Sequence, residues 1–308
     1  MADLNFTSKL GWLPDWPDFR DKTVEDDQLS SRLVGLGQKD SIKKMKSALT
    51  PAGTAGDALP SSVNLAQWFS PAKDQGELGS CTANAAVSLV EYFEYRAFGK
   101  YTEPSRLFLY KTARNLLHQS GDSGTFLRSM MGAMVLFGVP PEEYWPYMVT
   151  EFDTEPTPFC YAFAQNYQAI SCYRLDPPGT TTVDLLKSIK KSLASALPLM
   201  FGFSVYQSIS QSSTNQGKIP FPEKGEKLEG GHAVVAAGYD DKIKIKNNSI
   251  HAGETTGAIL IKNSWGTYWG DKGYGWIPYE YILRGMAIDW WSLLKNEWVD
   301  TGNFSSET

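Results

Sequence analysis

The spacing of apolar residues changes character once along this chain, and that change limits what it can fold into. From Ser80 the pattern is helical: Ala85, Leu89, Phe93 and Ala97 fall four apart on one face. Ser80 stands where an N-cap is expected and Gly99 where the helix would end. A second helix is expected over 127–137, closed by Gly138 before a Pro-Pro turn, and a third over 183–197, stopped by Pro198. Beyond Pro198 the pattern becomes that of strands. HAVVAAGYDD reads as a buried strand closed by a turn, with GAILIKNSW and KGYGWIPY as two more. Residues 207–231, rich in Ser, Gly, Pro and Lys, read as a long loop at a functional rim. Helices first and strands second predict an α+β protein of two lobes.

The first sixty residues differ from the rest. They hold a Trp/Pro/Asp patch (Gly11 to Asp21), a mixed-charge stretch (Val24 to Met45) and the small-residue run SALTPAGTAGDALPSS, which reads as a flexible linker. The expected division is an N-terminal extension over 1–58 and a catalytic domain over 59–308. A net charge of -5 gives no electrostatic reason to expect nucleic acid or an anionic membrane as partner. No apolar run approaches the roughly 20 residues that span a bilayer, and the N-terminus does not read as a Sec-type signal peptide. Cytoplasmic residence is the default expectation, with export by another route as the alternative. A monomer is expected.

The chemistry centres on Cys81. A thiol attacks a carbonyl well only as thiolate, and a helix N-terminus or a neighbouring imidazolium favours that form. Cys81 opens the predicted helix, although alone it reads as well as a core cysteine. Gln75 lies six positions earlier (81 − 75), where its side-chain amide and the Cys81 backbone N–H would make a two-donor oxyanion hole. His232 follows 151 residues later (232 − 81), after two glycines, and Asn263 after 31 more (263 − 232). His118 and His251 read as rim and turn residues. No spacing of ligand residues suggests zinc, and no cofactor is expected. Lys190–Lys191 and the KIKIK run read as solvated faces.

The segments DQGELGSCTANA, GGHAVVAAGYD and IKNSWGTYWGDKGYGWIP resemble, in order, the three signature blocks of the papain/cathepsin family of cysteine peptidases. The resemblance implies a papain-like fold with a helical lobe, an antiparallel β lobe and a cleft between them. It implies Cys81 as nucleophile, His232 as base, Asn263 as the residue that orients the imidazole, and Gln75 as oxyanion donor. Gly124, Gly231 and Trp265 would line the substrate cleft, with Trp265 also covering the His–Asn pair and Gly124 leaving backbone free for an extended peptide. The substrate would be a peptide or protein. GVPPEEYWPY and DWWSLLKNEW resemble the bacterial branch of the family.

Two positions depart from the family pattern. Leu78 and Thr82 stand where a cysteine and a Trp usually flank the nucleophile. A Cys160–Cys172 pair and two free thiols both remain open. The N-terminal extension occupies the place of an inhibitory prosegment, and GWLPDWPDFRD is expected to pack on the catalytic domain, near the cleft or merely around its outside. Acyl transfer to an amine or alcohol, and a catalytically silent binding fold, are the alternatives to peptide hydrolysis. The intact Cys, His, Asn and Gln argue against the silent fold.

Overall fold

The computed structural model describes residues 9–49, 59–168, 170–249 and 253–304. Most of the predicted linker, and His251, lie outside the described residues. The mixed-charge stretch forms two short helices, α1 (Ser31–Gly35) and α2 (Ile42–Leu49). They bury Leu33 on the first and Ile42, Met45 and Leu49 on the second.

The helical lobe is built on α3 (Cys81–Phe98), α4 (Arg106–Leu116) and α5 (Leu127–Phe137). α3 is buried along almost its whole length, including the Ala85, Leu89, Phe93 and Ala97 face, and it ends on Gly99 at φ 68. Ser80 takes the N-cap position without capping. Its hydroxyl instead shares a 2.6 Å hydrogen bond with the Tyr147 hydroxyl and accepts from Asn84 Nδ2. α4 has no counterpart among the predicted helices. Its cations sit inside the protein because partners distant in sequence neutralise them: Arg106 pairs with Glu142 at 2.8 Å, and Arg114 with Asp153 at 2.8 Å. α6 (Pro158–Ala164) and α7 (Thr182–Ala194) follow. The third predicted helix thus stops earlier than Leu197, where the chain turns through Ala196 at φ 57.

Among the described residues seven strands form one antiparallel sheet. They are β1 (Ser62–Asn64), β2 (Ser171–Arg174), β3 (Leu199–Tyr206), β4 (Leu228–Lys246), β5 (Glu254–Lys262), β6 (Tyr274–Pro278) and β7 (Ala287–Leu294). Their order is β2-β7-β3-β4-β5-β6, with β1 added to β4. The three predicted strand runs are β4, β5 and β6. The inner face carries large rings, with Phe201 stacked on Trp290 at 3.9 Å. The helical and β halves are those of an α+β papain-like fold.

Register places the site. β3 and β4 pair Phe203 with His232, while β4 and β5 pair Val235 with Lys262. Continuing the second register sets position 263 opposite 234 and position 265 opposite 232. Because alternate residues of a strand share a face, Asn263 falls diagonally beside His232. All three cysteines are free, and Cys160 and Cys172 are not paired.

Candidate active site

The N-terminus of α3 meets β4, which brings Cys81 beside the His232 segment. The backbone N–H of Ala233, the residue after His232, is turned toward the Cys81 sulfur, as are those of Gly11 and Thr82. Both Cys81 and His232 are fully buried. The imidazole Nε2 lies 2.8 Å from Asn263 Oδ1, and the Ser264 backbone N–H donates to that same oxygen at 2.8 Å. Since an N–H from Ser264 fixes which end of the Asn263 amide is oxygen, Nε2 must carry the imidazole proton. The lone pair then sits on Nδ1, which is buried without a hydrogen-bond partner. Trp265 stacks on the imidazole at 4.6 Å, and Phe203 meets the ring edge-on at 5.9 Å.

Burial holds both groups neutral. It pushes the Cys81 thiol up to about 11, against the lowering effect of the surrounding backbone N–H groups. It pulls the His232 imidazole down to about 4, against the hydrogen bond to Asn263.

Gln75 is equally constrained. Its Oε1 accepts the Ser264 hydroxyl at 2.6 Å, and its backbone carbonyl accepts the Tyr147 hydroxyl at 2.9 Å. The amide therefore presents Nε2 in a fixed direction. One Nε2 bond goes to the Leu78 carbonyl at 2.9 Å and another to the Lys9 carbonyl at 2.8 Å.

Residues 59–287 match the family model described as papain family cysteine protease. The chain belongs to the papain family. It is 35% identical over 223 residues to a peptidase C1-like protein of Acanthamoeba polyphaga mimivirus, covering 71% of this chain and 68% of that one. It is 26% identical to thiol protease aleurain of Arabidopsis thaliana, over 67% of this chain and 51% of that protein. The chain thus spans about half to two thirds of the length of these relatives. Among solved structures it superposes on xylellain, a cysteine protease from Xylella fastidiosa, with a TM-score of 0.68 and 32% identity, over 94% of this chain and 97% of that one.

In this papain-family chain the N-terminal extension does more than pack nearby. Residues 9–21, the strap, run through the space between the lobes. Lys9 pairs with Asp122 at 2.6 Å, and Asp122 also accepts from Tyr110 and from the Gly79 backbone. Gly11 crosses Gly79 so closely that a Cβ on it would collide with the Gly79 carbonyl. On the helical side the Thr125 N–H donates to Gly11 O at 2.9 Å, and the Leu13 N–H to Thr125 O at 3.1 Å. On the β side the Trp12 N–H donates to Gly231 O at 3.1 Å. Further along, Arg128 binds Asp15, Asp21 and the Trp16 carbonyl.

Gly231 pairs with the strap through its carbonyl. Gly124 makes room instead, at φ 70, where a Cβ would strike Gly11, while its own N–H is taken by Tyr110. The strap pairs through Thr125. Leu78 and Thr82 are both buried core residues here. His118 is exposed, whereas Lys190 is no merely solvated cation, since it binds Asp241 at 2.7 Å. Sequence reading singled out none of Ser264, Tyr147, Asp122 and Thr125 by itself, although Ser264 neighbours Asn263 in KNSWG and Asp122 and Thr125 flank Gly124.

Proposed function

We propose that the chain hydrolyses peptide bonds with Cys81 as nucleophile, His232 as base, Asn263 as the orienting residue and Gln75 as oxyanion donor, and that the strap keeps it latent. With the cleft open, His232 Nδ1 takes the Cys81 proton. The thiolate attacks the substrate carbonyl carbon, and the developing oxyanion is met by Gln75 Nε2 and the Cys81 backbone N–H. The imidazolium then gives its proton to the leaving amine, and water hydrolyses the thioester. Asn263 holds Nε2–H so that Nδ1 faces the reaction.

The observation that carries the reading is the Lys9 carbonyl at 2.8 Å from Gln75 Nε2. A peptide carbonyl of the chain's own strap occupies the donor intended for a substrate's, above a fully buried Cys81. Water and substrate are excluded from the sulfur while the strap is in place.

The test is alkylation by a broad epoxide inhibitor of papain-like enzymes, read by intact mass and peptide mapping on the full chain and on the Gly11→Glu variant, whose strap cannot dock. Adduct on Cys81 of the variant and little on the parent is the expected result. Equal labelling would remove the latency. A folded variant without adduct would remove the peptidase reading.

A further inference from the structure

Trp12 fills a slot that the sheet is shaped to leave open. Its backbone is clamped between Gly231 and, through its neighbours Gly11 and Leu13, Thr125, so its side chain enters the β lobe. The ring lies against two glycines on adjacent strands. A Cβ at Gly202 on β3 would collide with the indole, and one at Gly231 on β4 would come within 2.7 Å of its Cε3. Any side chain at either position would narrow the slot below the width of a bicyclic ring. Trp12 is buried there, in contrast to Trp16, which is 83% exposed.

The floor of the slot is polar and held in one orientation. Asp289 Oδ2 accepts the Trp12 indole N–H at 3.2 Å, and its Oδ1 accepts the Trp291 indole N–H at 2.7 Å. Arg174 lies 3.2 Å from Oδ1 and is itself shared with Asp176 at 2.9 Å and Asp21 at 3.5 Å. Asp289 is fully buried and sits at φ 65, a backbone conformation that non-glycine residues rarely adopt. Aiming this carboxylate into the slot thus comes at a conformational cost.

We infer that the pocket vacated by Trp12 selects an indole side chain in the substrate, with Asp289 as the specificity-determining acceptor at its floor. The inference rests on the peptidase reading above. Phe or Leu would fill part of the slot but leave Asp289 Oδ2 without its donor, and unpaired buried polar groups are how a site rejects a near-isostere. A lysine side chain is the competing occupant. Arg174 already supplies a cation to Asp289, so a second one would meet a guanidinium at the floor.

The test uses the full-length Gly11→Glu/Trp12→Ala protein, in which the strap cannot dock and the pocket walls are unchanged. Alkylation of Cys81 is measured first. Turnover is then measured on a peptide series in which Trp, Phe, Leu, Lys or Ala is walked through each position. At one position Trp should exceed Phe, Leu and Lys in kcat/KM by about tenfold or more. Adding Gly202→Val should remove that preference at that position alone. Asp289→Asn should do the same, because one amide oxygen must serve two indole N–H groups. Melting temperatures show whether each variant folds, and either one suffices. If Cys81 reacts and peptides are cut but Trp gives no advantage, or Lys leads, the pocket inference is wrong and the peptidase reading stands. If Cys81 of the folded protein stays inert and no peptide is cut, the peptidase reading fails and this inference with it.

Discussion

The Lys9 carbonyl oxygen accepts a hydrogen bond from Gln75 Nε2 at 2.8 Å, 66 residues away in sequence. That bond joins the N-terminal extension to the residue proposed to stabilise the oxyanion. It also places Gly11 over Cys81, with its N–H turned to the sulfur. Latency in this reading is an occupancy of the reaction centre by the chain's own backbone, reinforced on one side by Asp122 and on the other by the slot around Trp12.

Trp12 should be the main anchor of the strap. Truncating a buried Trp to Ala costs about 3–5 kcal/mol, which is about two orders of magnitude or more in an equilibrium. Trp12→Ala in the full chain should speed iodoacetamide labelling of Cys81 at least about tenfold, whereas Trp16→Ala, at an 83% exposed residue, should leave it unchanged. Equal effects of the two changes would show that the strap is held elsewhere, for instance by the Arg128 contacts.

Gln75→Ala separates the oxyanion role from a structural one. Made in the Gly11→Glu background, it should lower kcat by about 10²–10³-fold. Alkylation by iodoacetamide, which forms no tetrahedral oxyanion, should change little. A parallel fall in both would mean that removing the side chain that bonds Ser264 and the Leu78 carbonyl had displaced Cys81 itself.

The four proposed machinery residues were legible because they sit in short runs whose order and separations are unusual in combination. The rest was hidden for physical reasons. Gly202 looks like an ordinary strand glycine until Trp12 is placed against it. Helix α4 is obscured by Arg106 and Arg114, whose burial depends on Glu142 and Asp153 far along the chain. Ser80 looks like a cap, but Tyr147 and Asn84 engage its hydroxyl. Asp289 in the run AIDWW has no local feature that marks it as the floor of a pocket.

Behind the site, Glu91 is the anion on which a buried cation cluster depends. It is fully buried, binds Lys73 at 2.7 Å and accepts the Ser70 hydroxyl. Lys262, one residue before Asn263, donates to Ser70 at 3.0 Å and to Ser88 at 3.1 Å. Burial lowers its ammonium to about 8, with the Glu91 charge opposing. Glu91→Ala should destabilise the fold by about 3–5 kcal/mol, since it leaves the buried Lys262 without its counter-charge and Lys73 with only Glu103 at 3.7 Å. Denaturant unfolding checks this, and a loss below about 1 kcal/mol would mean that water compensates the cations.

The covered site should titrate unlike the open one. In the full chain the His232 imidazole should protonate near 4, because burial disfavours its charge, whereas in the Gly11→Glu variant, open to water, its midpoint should move up toward 6.5. Ring-proton shifts followed against pH measure both. The covered state, whose imidazole pKa is the lower one, then loses stability relative to the open state as pH falls from 6.5 toward 4, by up to about 1.4 kcal/mol per pH unit. Cys81 works on the alkaline side: raised from 9.0 to about 11, it keeps its proton when covered, so the strap loses ground as pH rises through that range. Asp289, raised to about 7 chiefly by burial, offsets part of the acid-side effect, because the covered carboxyl binds a proton that a hydrated one would release. Asp289→Asn should therefore make acid release of the strap steeper. Equal His232 midpoints in the full chain and the variant would show that the strap does not control access of water to the imidazole.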